Sequence, residues 1–506
     1  MSEEEKSVST QPDSTATTSS YRSIFKATSL FGGVQVYQIL IRLIRSKIVA
    51  VLLGPLGIGI QGLMISATDV IKNIASLGLS QSAVRDISSA NKENNTDFLR
   101  VTVTVVRRLV WITGLVGMLL VIVCSPLLSK ISFGSNEYIV AFALLSITLL
   151  LDQVSAGQKV VLQGMRRLKD LAKASSVGVT IGLIVTVPFY YLWGVKGIVP
   201  ALIVNSASGL IISWYYSNKV KIHKVRISIK ETFSKGGVMI KMGVALCYSS
   251  VLVSISSYLM RGYISNVDGA EMVGLYTAGV AIASTYVGLI FTAMNADFYP
   301  GLAAVSSNNE CRHVVNQQGE IGALILGPLV LLCVVFMPIV IRLLYSEKFL
   351  PSCDYVMLAI VGMLFRLVSW LVSIQFVAKG EARVFAINES ISNIYMLILN
   401  VLGYKLLGLV GVGVSFIICY IVYFIQVFVI AYKKYDFTYS GRFLKIFAIQ
   451  VVFAGVGLLI ALLLNHLARY VLGGILCVIL TVYSYIELNK RVMISEVIKQ
   501  KVHAKK

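Results

Sequence analysis

Long apolar runs set the first limit on what this 506-residue chain can fold into. Pattern reading finds about fourteen stretches long enough to cross a hydrocarbon layer roughly 30 Å thick as helices. They fall near 28–52, 57–79, 109–131, 138–162, 174–193, 197–216, 237–261, 272–297, 319–344, 354–378, 386–404, 409–431, 444–464 and 470–488. Inside a bilayer each backbone N–H and C=O must find its partner within the protein, so runs of this length are read as helices. A composition 57% hydrophobic and 14% charged, with mean hydropathy +0.80, excludes a soluble globular domain.

Two parts of the chain read as copies of each other. Pro126 and Pro338 lie 212 residues apart, as do Lys130 and Arg342, Gln163 and Gln375, and the pairs Gly62-Leu63 and Gly274-Leu275. With a shift of two, Leu192-Trp193-Gly194-Val195-Lys196-Gly197 meets Leu406-Leu407-Gly408-Leu409-Val410-Gly411. The step holds an even number of spans, so both copies enter the membrane in the same sense and are related by an axis along its normal. The expected fold is an all-α polytopic membrane protein of two parallel six-helix lobes plus two C-terminal helices. The lobes are placed at 21–217 and 237–431, a basic linker at 218–236, the extra helices at 444–488 and a basic tail at 489–506. Residues 1–20, acidic and then Ser/Thr-rich, read as a disordered tail. Duplicated hydrophobic helices point to a secondary carrier whose path runs between its halves.

The net charge of +21 points to the membrane surface and away from nucleic acid. Arg107-Arg108, Arg166-Arg167-Lys169, the Lys219 to Lys235 stretch, Lys433-Lys434 and the C-terminal tail all fall on one side. The positive-inside rule makes that side, and both termini, cytoplasmic, and anionic lipid headgroups suit such a surface. The seven cysteines are scattered without paired spacing, and the four histidines stand apart, so neither a disulfide framework nor a metal site is expected. Gly57-Ile58-Gly59-Ile60-Gln61-Gly62 matches the dinucleotide fingerprint letter by letter, but it follows a Pro at a turn between membrane helices with no strand before it. No cofactor is expected.

The charged residues inside spans carry the chemistry. Gln35, Gln38, Arg42 and Arg45 are spaced three, four and three apart and share one face of the first span. Arg42 lies about twelve residues beyond Leu30, roughly 18 Å into the membrane. Placing an arginine that deep costs at least roughly 2.5–3.5 kcal/mol unless it faces a partner or a wet cavity. The 212-residue step puts Ser250, Ser254 and Ser257 opposite Gln38, Arg42 and Arg45, which implies a central cavity lined by both stripes and cationic on its N-terminal side. The competing reading has the arginines snorkelling to the interface or pairing with Asp69. Asp69 and Lys72, with Asn73 and Ser76, share a face of the second span and either neutralise each other or meet substrate. Asp152 and Arg366 stand 214 residues apart near mid-membrane and are either an ion pair across the lobes or, for Arg366, an anion contact. Asp297 and Glu389 are read as interfacial.

The run from Ser46-Lys47-Ile48-Val49-Ala50 through Leu53-Gly54-Pro55-Leu56-Gly57-Ile58-Gly59 resembles the first-to-second helix region of Wzx-type O-antigen and common-antigen flippases. So does Leu77-Gly78-Leu79-Ser80 through Val84-Arg85-Asp86-Ile87-Ser88. The similarity extends over both lobes, as in the multidrug/oligosaccharidyl-lipid/polysaccharide exporter (MOP) superfamily, and the two extra helices resemble the lipid II flippase arrangement. The resemblance implies a non-enzymatic flippase of the bacterial inner membrane. Its cargo would be an undecaprenyl-pyrophosphate-linked oligosaccharide, with a polysaccharide polymerase and a chain-length regulator as partners. Arg42, Arg45, Lys72 and Arg366 would hold the pyrophosphate. Gln35, Gln38, Ser254 and Ser257, with Tyr258, Tyr286 and Trp370, would face sugars. Asp69, Asp152 and Glu389 would be coupling or gating carboxylates. A multidrug cation antiporter shares the fold but calls for unpaired carboxylates. A membrane polymerase calls for a sizeable external loop, and a scaffold leaves the deep arginines unexplained.

Overall fold

The structure is a computed structural model that describes residues 14–92, 96–220, 222, 225–305 and 307–492, with side chains from Gly33 onward except 92, 286, 296, 297 and 492. Tyr286 and Asp297 are therefore placed only through their backbone. Among the described residues there are helices and no strand. In chain order they are α1 (Ser14–Ala75), α2 (Leu79–Lys92), α3 (Thr96–Phe133), α4 (Ile139–Gly164), α5 (Leu168–Trp193), α6 (Ile198–Asn218) and α7 (Ile229–Val280). A short π-helical stretch leads on to α8 (Leu289–Ala303), α9 (Asn308–Val335), α10 (Met337–Leu344), α11 (Cys353–Ala378), α12 (Ala382–Tyr435), α13 (Gly441–Leu463) and α14 (His466–Val492).

Ten helical stretches are long and apolar enough to cross a membrane. Four of them contain one glycine at positive φ: Gly54 (65°), Gly194 (54°), Gly269 (86°) and Gly408 (60°). Glycine lacks the Cβ that makes this region costly, so the chain can break its helix there without strain. Each of the four stretches holds two spans, which yields the fourteen that hydropathy implies. The breaks fall in matched places of the two copies, and so do the contacts they create. Gly197 rests against the Phe189 carbonyl and Gly411 against the Gly403 carbonyl, the same eight-residue reach. In a straight helix residues eight apart stand about 12 Å from each other, so both chains have turned back. The tight turns form one end of the molecule, here the hairpin end; the arginine- and lysine-rich connections form the basic end.

Two boundaries differ from the sequence reading. The stretch read as a linker is shortened because α7 begins at Ile229: Ser228 accepts from the Glu231 N–H at 3.1 Å while Glu231 accepts from the Ser228 N–H at 2.8 Å. This capping box starts the helix eight residues ahead of its apolar run. At the N-terminus, α1 reaches back to Ser14, into the stretch read as tail, because a nucleated helix propagates at little cost. Residues 1–13 and 493–506 lie outside the described residues.

The largest apolar core runs through both lobes; in the second, Met357, Ile360, Leu364, Leu367 and Leu371 of α11 are fully buried. Helix α11 is apolar all round because it is surrounded. The two extra helices dock on α9 at both ends. At the hairpin end the buried Arg469 guanidinium donates to the Val334 and Val335 carbonyls at 2.8 Å each, capping α9 where its own hydrogen bonds run out. At the basic end Arg491 meets Glu320 of α9 at 2.6 Å. Replacing Arg469 with Ala strands two buried carbonyls, each worth about 1–3 kcal/mol. Thermal unfolding of the purified protein in detergent should drop by several degrees; an unchanged transition would mean the cap is dispensable.

Candidate functional site between the lobes

The lobes meet along α1 and α7, and glycines set how closely. Past its turn, α1 places Gly59 on the Ala270 carbonyl; past its own turn, α7 places Gly274 on the Pro55 carbonyl. A Cβ at either position would overlap the facing backbone. Beside this crossing each lobe reaches the other through a matched contact. The Tyr258 hydroxyl donates to the Leu128 carbonyl at 3.3 Å and bonds the Ser132 hydroxyl at 3.0 Å. Lys47 Nζ donates to the Arg342 carbonyl at 2.5 Å, within two residues of the equivalent positions. The hairpin end is closed from both sides.

Closure at the basic end is one-sided. Gly78 and Gly243 lie backbone to backbone, Arg85 reaches the Met242 sulfur at 3.1 Å, and Arg108 holds the Ile227 carbonyl. The repeat-equivalent seam, α8 against the start of α1, has no hydrogen bond or ion pair among the described residues, and Gly33 there faces open space. Among the described residues, the space between the lobes is thus tied at the basic end on one side.

Charged groups line this space on the side of the first lobe. Lys72 of α1 forms an ion pair with Asp152 of α4 at 2.8 Å, both half-exposed. Asp69 interacts electrostatically with Lys72, Asp152 and Arg261, and Lys159 with Asp152 and Lys72. Arg261 of α7 is buried, held by the Ser257 carbonyl at 3.0 Å, the Ser257 hydroxyl, Thr277 at 3.3 Å and the face of Tyr276. Lys72 thus takes Asp152 as its partner, and the sequence-level pairing of Asp152 with Arg366 is replaced. Arg366 instead sits between the rings of Phe291 and Tyr420, 5.4 and 5.7 Å from their centroids. Trp370 packs near it, edge-on to Phe291 and tilted against Phe298.

The polar stripe of α1 turns toward α5 and α6. Arg45 donates to Asn205 at 3.4 Å, and Tyr37 beside the stripe bonds Thr180 at 2.7 Å. Gln38 is buried and Gln35 exposed; Arg42 is exposed, with no hydrogen bond or ion pair among the described residues. On α7, Ser254 donates to its own helix at the Val251 carbonyl, 2.9 Å away. Glu389 accepts from Tyr423 at 2.9 Å and Ser249 at 3.1 Å, tying α12 to α7.

With this geometry in view, the comparisons with known proteins are decisive for the family. Residues 48–354, more than half the chain, match the profile of a family described as polysaccharide biosynthesis protein. The chain belongs to that family. In sequence, no curated protein matches it. Among solved structures, this chain is similar to the lipid II flippase MurJ in an inward closed conformation, with TM-score 0.68 at 14% identity over 91% of this chain and 99% of that one. It is also similar to an inward-facing MATE-family multidrug transporter of the MOP superfamily, with TM-score 0.62 at 16% identity over 78% and 94%. A MOP superfamily transporter from Pyrococcus furiosus, noted for the reverse polarity of its binding pocket, gives TM-score 0.57 at 15% identity over 81% and 96%. At these identities the likeness is one of fold, and the fold is that of the MOP superfamily.

Two cations escaped the sequence reading. Ending the seventh span at 261 put Arg261 at an interface, whereas α7 runs on to Gly269 and leaves the arginine about 12 Å from the turn. Lys159 lies two helical turns from Asp152 on the same face of α4, and that spacing could have flagged it. The cations exceed the carboxylates, and a low-dielectric surround magnifies the imbalance. Such a site attracts a compact multivalent anion and repels a lone cation. Exchanging the charges of Lys72 and Asp152 should recover part of the function lost in either single reversal, while exchanging Asp152 with Arg366 should recover none. Equal recovery in both double variants of this cycle would contradict the pairing.

Proposed function

We propose that the chain is a flippase that moves an undecaprenyl-pyrophosphate-linked oligosaccharide from the inner to the outer leaflet of the bacterial inner membrane. The observation that carries this reading is the excess of cations between the lobes of a polysaccharide-family protein with a MOP fold. A pyrophosphate cannot cross hydrocarbon unaided, and guanidinium groups replace its hydration with charge-assisted, bidentate hydrogen bonds. Arg42 and Arg45 of the first lobe, with Lys159 and Arg261, receive the headgroup; Lys72 joins them when Asp152 is protonated or displaced. Arg366, in its aromatic surround, serves the second lobe. Gln35, Gln38, Ser254 and Ser257 face sugar hydroxyls, and the polyprenyl tail stays in lipid along the α1–α8 seam.

Rocking of the lobes carries the headgroup outward without a covalent step. Asp69 and Asp152 couple the motion to a cation gradient by exchanging partners with Lys72, and Glu389 does so by releasing Tyr423. Both termini are cytoplasmic in this reading, which puts the basic end against the anionic inner leaflet. A polysaccharide polymerase and a chain-length regulator act on the delivered product.

The test is leaflet orientation of a lipid-linked oligosaccharide in proteoliposomes, read by a probe that reaches only exposed sugars. Wild type should expose the sugars, while Arg42→Ala and Arg261→Gln should lower the rate by at least about tenfold, the cost of one lost charge-assisted contact. Absence of exposure under any imposed proton or sodium gradient would overturn the flippase and direct attention to efflux of organic cations.

A further inference from the structure

Away from the space between the lobes, a second cationic cavity opens on the flank of the first lobe. It occupies about 1530 Å³ between α3, α4, α6 and the connection entering α7, above the roughly 300–1,000 Å³ usual for small-molecule sites. Arg107, Arg108 and Arg226 line it, and among the described residues no acidic side chain does. The nearest carboxylate in sequence, Glu231, is turned back onto Ser228 by the capping box. Gln158, 8% exposed, and Arg107 both line the cavity, and just behind its wall the Gln158 Oε1 and the Arg107 Nε have no hydrogen-bond partner among the described residues.

The cavity is amphiphilic and sits at a membrane boundary. Arg107 and Arg108 immediately precede the apolar run of α3, and the exposed rings of Trp111 and Trp214 flank the opening. Tryptophans favour headgroup depth. On the membrane side of the arginines the wall is aliphatic, with Val110, Val154, Leu210 and Ile211.

We propose that this cavity binds the phosphate headgroup of an anionic phospholipid, with the acyl chains along the aliphatic wall. The phosphate accepts from the guanidinium groups of Arg107 and Arg226, beside Gln158. One wall is the connection between the lobes, pinned by Arg108 to the Ile227 carbonyl and by the Val225 N–H to Thr104 at 3.4 Å. A bound lipid therefore holds α7 against the first lobe. If the lobes rock as proposed above, lipid occupancy biases that motion; the binding itself does not depend on the transport reading.

The experiment is native mass spectrometry of the full chain released from nanodiscs of phosphatidylglycerol and phosphatidylcholine. Wild type should retain one phosphatidylglycerol. Retention should fall at least about tenfold in Arg107→Gln and in Arg226→Gln, and should persist in Arg383→Gln, an exposed arginine at the basic end of the second lobe. Arg226→Gln changes an exposed residue, so its loss of lipid cannot be blamed on misfolding. Equal retention in all four proteins, or equal loss in all three variants, would overturn the site. Displacement of the lipid by millimolar inorganic phosphate, with phosphate retained in its place, would overturn the assignment to a phospholipid.

Discussion

The crossing of α1 and α7 is the constraint on which the rest of the arrangement depends. Glycine at 59, 78, 243 and 274 lets two backbones touch where any side chain would hold them apart. Packing of this kind is how membrane helices associate, since apolar side chains gain nothing by leaving lipid. Contact through bare backbone is short-ranged and leaves few interdigitated side chains to break. The lobes can therefore be joined at one end and parted at the other. Sealing contacts such as Tyr258 on the Leu128 carbonyl and the Ser132 hydroxyl, and Lys47 on the Arg342 carbonyl, are one or two hydrogen bonds each, weak enough to exchange during a cycle.

Electrostatics gives that hinge a use. Each charge between the lobes is costly in a membrane, and the structure meets the cost by different means. Lys72 takes a carboxylate, Arg261 takes one carbonyl, two hydroxyls and a ring, and Arg366 takes two aromatic faces. Arg469 shows the structural alternative: it caps a helix and has no spare donor aimed at the cavity. Depth alone thus does not distinguish a functional arginine from a structural one. The distinction lies in whether its partners are fixed backbone or groups that a ligand can replace.

Much of the fold was legible in the chain because bilayer physics reduces it to run length and breaks. The fourteen spans, the repeat and the glycine turns at 54, 194 and 408 all follow from local pattern. The seventh span misled because an arginine normally marks an interface, whereas Arg261 is satisfied inside. The site was only partly legible, because pairing depends on how each helix is rotated about its axis. Lys72 and Asp152 are 80 residues apart, and Arg45 and Asn205 are 160 apart. Nothing local tells Asp152 to choose Lys72 over Arg366. The docking of the last two helices through Arg469 and Arg491 is equally invisible in sequence, since their partners lie on α9.

The central claim is that the hairpin end must open for the lobes to do their work. Its most direct test joins Lys47→Cys to Arg342→Cys with a short bis-methanethiosulfonate, which forms a disulfide at each cysteine and releases two methanesulfinates, in a chain whose seven native cysteines have been replaced. Rocking predicts that the cross-link stops sugar exposure in proteoliposomes and that a reductant restores it. Undiminished exposure by fully cross-linked protein would contradict alternating access.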